Sequence, residues 1–376
     1  MGRTVSDNPE EEKSVPAKYL HVAILRSNTQ AIQNQTIETR KGTINAQIQA
    51  ADMAIQGVAN DIPSTSPYGL FLAPEYFFAK PAAGGNHQVG EERHLSETDK
   101  RSLEAWMKQL SETYPRLIIA PGSIAWQKSL DRTETKQQYL QRKAPGETDE
   151  FTLLALENHF GRKKPRREKA VSALETVANQ LSLNRDAKTP PVWRQVGAGT
   201  LFPSYLNDPS PSINEKIRDV KDDSLLSGSF QMARNTAYVY CNGKRLLKYA
   251  KIGDYHEVLT DSTVVAVPGI QAGTFIYDGV RYGLEICLDH YLGVLQKLKP
   301  PKPPHVHIIL SAWVQRTDTN SLTTLAGFIT HASSNDAQRG VFVSDFGPSR
   351  KVDPWQEDSN LAIYKIDLRL ALDFDL

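Results

Sequence analysis

Short apolar runs alternate with more polar, helix-like stretches over the first third of the chain. Residues 19–25 (YLHVAIL), 69–73 and 117–120 are apolar runs of strand length, and proline directly follows the second and the third. Residues 43–59 lie between the first two runs and are weakly apolar and rich in alanine and glutamine, as in a helix. Strands and helices that take turns in this way predict an α/β arrangement.

A second helix is predicted between the second and third strands. Ser96 followed by Asp99 resembles a capping box, in which each side chain bonds the other residue's backbone N–H. Leu103, Met107 and further apolar residues follow at helical spacing until Pro115 ends the pattern.

Two hairpins are predicted in the second half of the chain. Asn242-Gly243 and Asp278-Gly279 each separate two apolar-containing runs, and such dipeptides suit a type I′ turn because both central residues need a positive φ. After Cys287 the pattern predicts a helix, strands at 306–310, 340–344 and 361–366, and a helix from about 321 to 336. Hairpins within an alternating chain favour mixed sheets.

Two segments differ in character from the rest. Residues 1–18 are charged and poor in apolar groups, which predicts a disordered tail. Residues 127–231 contain the basic run at 162–167, an apolar-periodic stretch that predicts a helix near 171–181, and a stretch rich in proline and serine. This segment is too long for an ordinary connection, so we expect one domain at 19–376 that is interrupted by an insertion at about 127–231.

Composition and charge narrow the class of protein. Lys and Arg number 44 against 43 Asp and Glu, which gives no overall field for nucleic acid or an anionic membrane. The chain has no apolar run near the ~18 residues of a membrane span, and its polar start lacks the apolar run of a signal peptide. Two cysteines cannot make a disulfide framework or a cysteine-based zinc site. We therefore expect a soluble cytoplasmic protein.

Three side chains could carry chemistry, although each has an ordinary structural alternative. Cys287 comes between a strand and a helix start, where backbone N–H groups can lower a thiol pKa and bind an oxyanion, but a lone cysteine in an apolar run is more often buried and inert. Glu75 follows a buried strand and precedes three aromatic residues, which suits a general base or a strand-end surface carboxylate. Lys251 follows the first hairpin, where a solvated lysine is the commoner case.

Taken together, the three segments resemble a known family. Residues 73–78 (APEYFF), 249–253 (YAKIG) and 283–289 (GLEICLD) resemble the Glu, Lys and Cys motifs of the nitrilase superfamily, and they come in that family's order. Residues 120–123 (APGS), 234–237 (RNTA) and 311–313 (SAW) are similar to further landmarks of the family. The resemblance covers about 19–126 and 232–366, and its specificity lies in the ordered set.

The resemblance implies a fold and a mechanism. The fold would be a four-layer αββα sandwich that commonly pairs as a homodimer and needs no metal or organic cofactor. Glu75 would take the proton of Cys287, whose thiolate would attack a carbonyl or nitrile carbon, while Lys251 and the backbone N–H of Leu288 stabilise the oxyanion. Glu257 is similar to the family's second glutamate, which positions the lysine or the substrate, and Tyr76 would support the site.

Two details bear on the substrate. The Cys-Leu-Asp sequence that starts at Cys287 resembles the amidase and carbamoylase branches more than true nitrilases, so we expect a small-molecule amide-type substrate and the release of ammonia or an amine. His290 and Tyr291 follow Asp289 where family members often have arginine, which bears on how the substrate is oriented.

Other interpretations stay open at this point. The thioester could pass its acyl group to an amine, as in an acyltransferase. Alternatively, the chain could be a catalytically idle scaffold whose basic insertion binds a protein or an anionic ligand. His305 and His307 share one face of a strand that Pro303-Pro304 marks as an edge, but two histidines without a third ligand predict no metal site. Asp289 is expected to cap the following helix or to hold the loop.

Overall fold

The computed structural model describes residues 19–57, 69–81, 93–130, 193–195, 201–203, 230–252, 264–266, 272–344 and 347–373. The predicted tail and most of the predicted insertion, with its basic run at 162–167 and its helix near 171–181, lie outside these ranges. No helix of the described ranges is both long enough and apolar enough to cross a lipid bilayer.

The described α-helices are two long ones and three short ones: α1 (Ile37–Gln56), α2 (Glu97–Thr113), α3 (Leu288–Leu292), α4 (Val294–Lys297) and α5 (Arg369–Asp373). Asp318–Asn320 and Asp336–Gln338 form short 3-10 helices. The described strands are β1 (Tyr19–Leu25), β2 (Gly69–Leu72), β3 (Leu117–Ala120), β4 (Ser123–Leu130), β5 (Trp193–Gln195), β6 (Leu201–Pro203), β7 (Phe230–Cys241), β8 (Lys244–Ala250), β9 (Val264–Ala266), β10 (Thr274–Tyr277), β11 (Val280–Ile286), β12 (Val306–Ser311), β13 (Phe328–Ser333), β14 (Gly340–Val343), β15 (Arg350–Val352), β16 (Gln356–Glu357) and β17 (Leu361–Asp367).

These strands form two large mixed sheets and one pair. The first sheet has the order β16-β17-β1-β2-β3-β7-β4, with β8 and β9 also bonded to β7, and its β1, β2 and β3 run parallel. The second sheet has the order β10-β11-β12-β13-β14-β15, and its central strands β11, β12 and β13 are likewise parallel. Strands β5 and β6 pair with each other.

The two large sheets pack face to face. Successive side chains along a strand point to opposite sides of its sheet, so every second residue faces the other sheet. In β1, Val22 and Ile24 join one apolar core with Leu284 and Ile286 of β11, which lies in the other sheet. The intervening Ala23 of β1 belongs instead to a second core, which the first sheet shares with α1 and α2.

Short helices cover part of the outer face of the second sheet. The backbone N–H of Leu295, in α4, donates to the carboxylate of Glu285, which points away from the inter-sheet core. Together with α1 and α2 outside the first sheet, this gives the order helix, sheet, sheet, helix. The predicted four-layer αββα sandwich is therefore confirmed.

Several local predictions are also confirmed. Ser96 caps α2, and its side chain and that of Asp99 exchange bonds with each other's backbone N–H as the capping box requires. Asn242 has φ 45° and Gly243 has φ 70°, and they join β7 to β8. Asp278 and Gly279 have φ 48° and 72° and join β10 to β11.

The predicted helix at about 321–336 is wrong, because the structure has strand β13 (Phe328–Ser333) within that range. Every residue of β13 is buried, since it pairs with β12 and β14 and is covered on both faces. A strand buried on both faces lacks the alternation that would distinguish it from a buried helix. The edge position inferred from Pro303-Pro304 is also wrong, because these prolines precede β12, and β12 lies between β11 and β13.

Strands β4 and β7 mark where the chain leaves and rejoins the first sheet. They pair antiparallel from Ser123 opposite Ala237 to Leu130 opposite Phe230. The segment 131–229 therefore connects two neighbouring strands, and the pairing continues a few residues inside the range expected for the insertion.

Gly122 offers a test of the close packing beside β2. It has φ 87°, and a β-carbon there would lie 2.4 Å from the carbonyl oxygen of Pro74 and 2.8 Å from Cβ of Phe77. We expect Gly122→Ala to lower the free energy of unfolding by about 2–4 kcal/mol, because the backbone is strained and the neighbouring chain must shift. Urea unfolding would measure this difference.

The matched control is Gly42→Ala in α1, where nothing lies within 4 Å of the added β-carbon. Alanine favours the helix over glycine, so this variant should gain about 0.5–1 kcal/mol. Equal effects of the two substitutions would contradict the close approach at Gly122.

Candidate active site

The three predicted catalytic residues all lie just past the ends of strands. Glu75 comes three residues after β2, Lys251 directly follows β8, and Cys287 directly follows β11. Strands β2 and β11 belong to the parallel parts of different sheets. The carboxyl ends of parallel strands are where open α/β sheets bind ligands, since loops there are free to carry polar groups. The structure brings the three side chains together at this edge of the sandwich.

The carboxylate of Glu75 is fully buried and accepts hydrogen bonds from three separate segments. Its Oε1 atom lies 2.9 Å from Nζ of Lys251 and 2.9 Å from Nδ2 of Asn235, which donates to it. Its Oε2 atom accepts from the backbone N–H of Ala312 at 3.2 Å. We call Glu75, Asn235, Lys251, Cys287 and Ala312 the Glu75 cluster. A buried charge needs such partners, because isolation from water is costly.

The thiol of Cys287 faces the same cluster. The thiol donates a hydrogen bond to the Glu75 carboxylate, and its sulfur faces the backbone N–H of Ala312, which also donates to Glu75. Burial, with the negative charge of Glu75 beside it, raises the pKa of the Cys287 thiol to about 12, although Lys251 opposes this rise. The resting site therefore holds a protonated thiol beside an ionised carboxylate, which suits proton transfer at the moment of attack.

Two residues of the site have a backbone conformation that L-amino acids rarely adopt. Cys287 has φ 49° and ψ −104°, and Tyr76 has φ 58°. The backbone N–H of Tyr76 donates to the hydroxyl of Ser123 at 3.1 Å, which holds the turn after Glu75 in place. Positive φ at bulky residues costs free energy and persists only where the surroundings impose it, as they often do at functional sites.

Asp289 joins the segment of the cysteine to the segment of the lysine. Its buried carboxylate accepts from the hydroxyl of Tyr249 at 2.7 Å and from the backbone N–H of Ile252 at 3.1 Å. These two residues lie on either side of Lys251 in the chain. Of the two roles expected for Asp289, the contacts therefore show that it holds the loop.

The three supporting residues predicted from the sequence have different outcomes. Leu288 is the first residue of α3, so its backbone N–H has no acceptor within the helix and lies next to the thiol in the chain. The ring of Tyr76 lies 5.7 Å from Nζ of Lys251. Glu257 lies outside the described residues.

A second buried polar group lies directly behind the cysteine turn. Glu285 accepts from Nε2 of His307 at 2.9 Å, from Nδ1 of His290 at 3.1 Å and from the backbone N–H of Leu295 at 2.6 Å. We call Glu285, His290 and His307 the Glu285 network. Burial alone would raise the pKa of Glu285, but the two histidine hydrogen bonds outweigh it and lower this pKa to about 2.

The three side chains of the Glu285 network place donor atoms within 4.8 Å of one another, as metal ligands would. However, Nε2 of His290 faces the backbone N–H of Thr317, and Nδ1 of His307 faces that of Leu322. Both nitrogens must therefore accept, so the nitrogens that face Glu285 carry the protons and have no lone pair for a metal. The network fits a hydrogen-bonded support for the cysteine turn.

Sequence reasoning missed the partners that bring these groups together. Asn235 and Ala312 had been noted only as members of family-like segments, and the pairing of Glu285 with His290 and His307 had not been expected. The spacing of Glu285 and His290 around Cys287 was visible in the chain, but their contact depends on how α3 folds back over β11.

The fold and these side chains define the class as a two-sheet α/β sandwich with a buried glutamate, lysine and cysteine at one edge. No family model and no curated protein matches the chain. Solved structures that it resembles include Nit3 of Saccharomyces cerevisiae, a member of branch 10 of the nitrilase superfamily, at 13% identity and TM-score 0.39 over 95% of this chain and 93% of that chain.

Two further solved structures are similar at the same low level. An amidase of the nitrilase superfamily from Nesterenkonia sp. AN1 has 12% identity and TM-score 0.41, with 96% of this chain and 95% of that chain covered. A carbon–nitrogen hydrolase from Helicobacter pylori G27 has 10% identity and TM-score 0.38, with 95% and 92% covered. Identity this low leaves function to be inferred from the side chains.

The Glu285 network predicts a large effect from an isosteric substitution. All three partners of Glu285 donate, so the amide group of Glu285→Gln would face at least one of them with its own N–H in either orientation. We expect the free energy of unfolding to fall by about 2–4 kcal/mol, since a buried donor is left without an acceptor. Urea unfolding at pH 7 measures it.

Glu357→Gln is the matched control, because Glu357 forms an exposed ion pair with Arg26. That variant should change stability by less than about 1 kcal/mol. If Glu285→Gln unfolds at the same urea concentration as the wild-type protein, the carboxylate and its donors do not support the turn.

Proposed function

We propose that the protein is a cysteine hydrolase that breaks an amide-type carbon–nitrogen bond of a small molecule. The observation that carries the proposal is the buried contact of Glu75 with Lys251 at 2.9 Å, with the thiol of Cys287 bonded to the same carboxylate. A nucleophile, a base and a cation that share one buried pocket are the groups needed for acyl transfer.

In the first half of the proposed reaction, Glu75 takes the thiol proton as the sulfur of Cys287 attacks the carbonyl carbon. The C–S bond forms and the carbonyl π electrons move to oxygen, where Nζ of Lys251 and the backbone N–H of Leu288 stabilise the negative charge. The C–N bond then breaks, and Glu75 returns its proton to the nitrogen. Ammonia or an amine leaves, and the acyl group remains on sulfur as a thioester.

In the second half, Glu75 takes a proton from water and the hydroxide adds to the thioester carbon. The tetrahedral intermediate then collapses, so that the C–S bond breaks and the acid is released. The thiolate of Cys287 recovers a proton from Glu75. An amine in place of water would give acyl transfer by the same steps. Glu75 serves both halves of the reaction, because the same carboxylate exchanges a proton with sulfur, nitrogen and oxygen in turn.

The direct test is intact-mass spectrometry of the protein after incubation with a panel of amides, N-carbamoyl compounds and nitriles. Wild type should gain the mass of one acyl group and Cys287→Ala should gain none. Cys241→Ala is the matched control, because this second cysteine is fully buried in the core and should leave adduct formation unchanged. An inert wild-type protein that instead binds a protein or anionic ligand would favour the idle scaffold.

The role of Glu75 has its own test. Since the Glu75 charge and its hydrogen bond both raise the thiol pKa, we expect Glu75→Gln to lower that pKa, seen as faster alkylation by iodoacetamide at neutral pH. Turnover should nevertheless fall by about 10²–10⁴, because the proton acceptor is lost. A more acidic thiol together with lower turnover separates a general base from a merely structural carboxylate.

Glu357→Gln again serves as the charge-matched control and should change neither the alkylation rate nor the turnover. If Glu75→Gln turns over any substrate of the panel at the wild-type rate, Glu75 has no part in the mechanism.

A further inference from the structure

A cleft adjoins the Glu75 cluster and is lined by basic side chains. Tyr76, which follows Glu75, and Ala312, which bonds it, both line the cleft, and the half-exposed ring of Trp313 lies at the same wall. Three of the ten described lining residues are basic, and none of the ten is acidic. Because Glu75 itself is paired with Lys251, it does not offset this positive charge.

Arg40 is the least usual of the three basic residues. It is 1% exposed, and its guanidinium donates to the carbonyl oxygens of Ile32, Gln33, Phe77 and Ala79 at 2.7–3.1 Å. Burial lowers the pKa of Arg40 to about 10, which still leaves it charged at neutral pH. No carboxylate of the described residues pairs with it, although buried charges are normally paired. Arg40 therefore adds positive charge to the cleft that carbonyl dipoles only partly offset.

The other two basic residues are held beside each other at the same cleft. The backbone N–H of Lys80 donates to the carbonyl oxygen of Arg93 at 2.9 Å. The guanidinium of Arg93 lies 5.1 Å from the ring centre of Tyr76, and the same ring lies 5.7 Å from Nζ of Lys251. The ring of Tyr76 is therefore close both to Arg93 of the cleft and to the candidate catalytic lysine.

We propose that this cleft binds an anionic group of the substrate, so that the protein acts on small-molecule amides that also carry a carboxylate or phosphate. This inference rests on the proposed function of the adjoining Glu75 cluster. Arg93 supplies a planar set of N–H donors that matches the oxygen atoms of either anion. The fixed charge of Arg40 favours the anion through the electrostatic field without direct contact, because Arg40 is buried and its two terminal nitrogens already donate to carbonyl groups.

The first experiment compares two alkylating reagents of nearly equal shape, neutral iodoacetamide and anionic iodoacetate. Peptide mass spectrometry gives the rate at which each modifies Cys287, and the ratio of iodoacetate to iodoacetamide reports the local field. We expect Arg93→Gln to lower this ratio by about 3- to 10-fold, as removal of one nearby charge should do at low salt. Arg93→Lys, which keeps the charge, should restore most of it.

Lys244→Gln removes an equal charge from an exposed site on the β7–β8 hairpin and should leave the ratio unchanged. Arg40 is not a suitable variant, because its loss would free four carbonyl groups and disturb the fold. An equal ratio in wild type, Arg93→Gln and Lys244→Gln would overturn the proposal.

The second experiment uses linear amides of matched length that end in a methyl group, a carboxylate or a phosphate. The proposal predicts a higher kcat/KM for an anionic amide than for the neutral one. This preference should be reduced in Arg93→Gln and kept in Lys244→Gln, and the better of the two anionic amides would show whether the cleft binds a carboxylate or a phosphate. Equal values for all three amides would overturn it.

Failure of the proposed function gives a different result. If Cys287 reacts with none of the reagents and amides, the nucleophile itself is wrong. If neutral iodoacetamide modifies Cys287 and neutral amides turn over, but charge has no effect, then hydrolase chemistry stands and the anion-binding cleft alone is wrong.

Discussion

The site depends on one buried carboxylate. Glu75 is reached by Lys251 after β8, by Asn235 within β7 and by the backbone of Ala312 after β12, so a single side chain joins segments of both sheets. Each of these donors offsets part of the cost of removing the charge from water. The same contacts set the distance between the thiol and its proton acceptor, so the stability of the fold at this edge and the geometry of the proposed chemistry have a common origin.

Around this carboxylate, the supports of the cysteine turn are arranged in two groups. Asp289 bonds both sides of Lys251 from the first turn of α3, and Glu285 bonds α3 and α4 from the end of β11. Between them, Cys287 is kept at a positive φ that an unsupported chain would avoid. The strain is local, and the hydrogen bonds that maintain it are buried, which is the arrangement needed to present a side chain in one fixed orientation.

Charge around the site is distributed unevenly. The ion pair of Glu75 and Lys251 carries no net charge. The adjoining cleft, in contrast, carries Arg40, Lys80 and Arg93, and its described lining includes no acidic residue. Since Arg40 is also buried, the cleft contains positive charge that water cannot fully screen. The overall charge of +1 gives no hint of this field, because it depends on where the charges lie and not on their sum.

The sequence by itself determined what depends on neighbouring residues: the capping box at Ser96, the two turns at Asn242-Gly243 and Asp278-Gly279, and the buried strands that alternate with α1 and α2. It also supplied the ordered Glu, Lys and Cys motifs, from which the four layers were expected. Tertiary structure decided the rest. Strand β13 could not be distinguished from a helix because both of its faces are buried, and the bonds of Glu285 with His307 and of Glu75 with Ala312 join residues far apart in the chain. Local patterns report propensity and periodicity, whereas such partners are chosen only when the sheets pack and each buried polar group must find its donor.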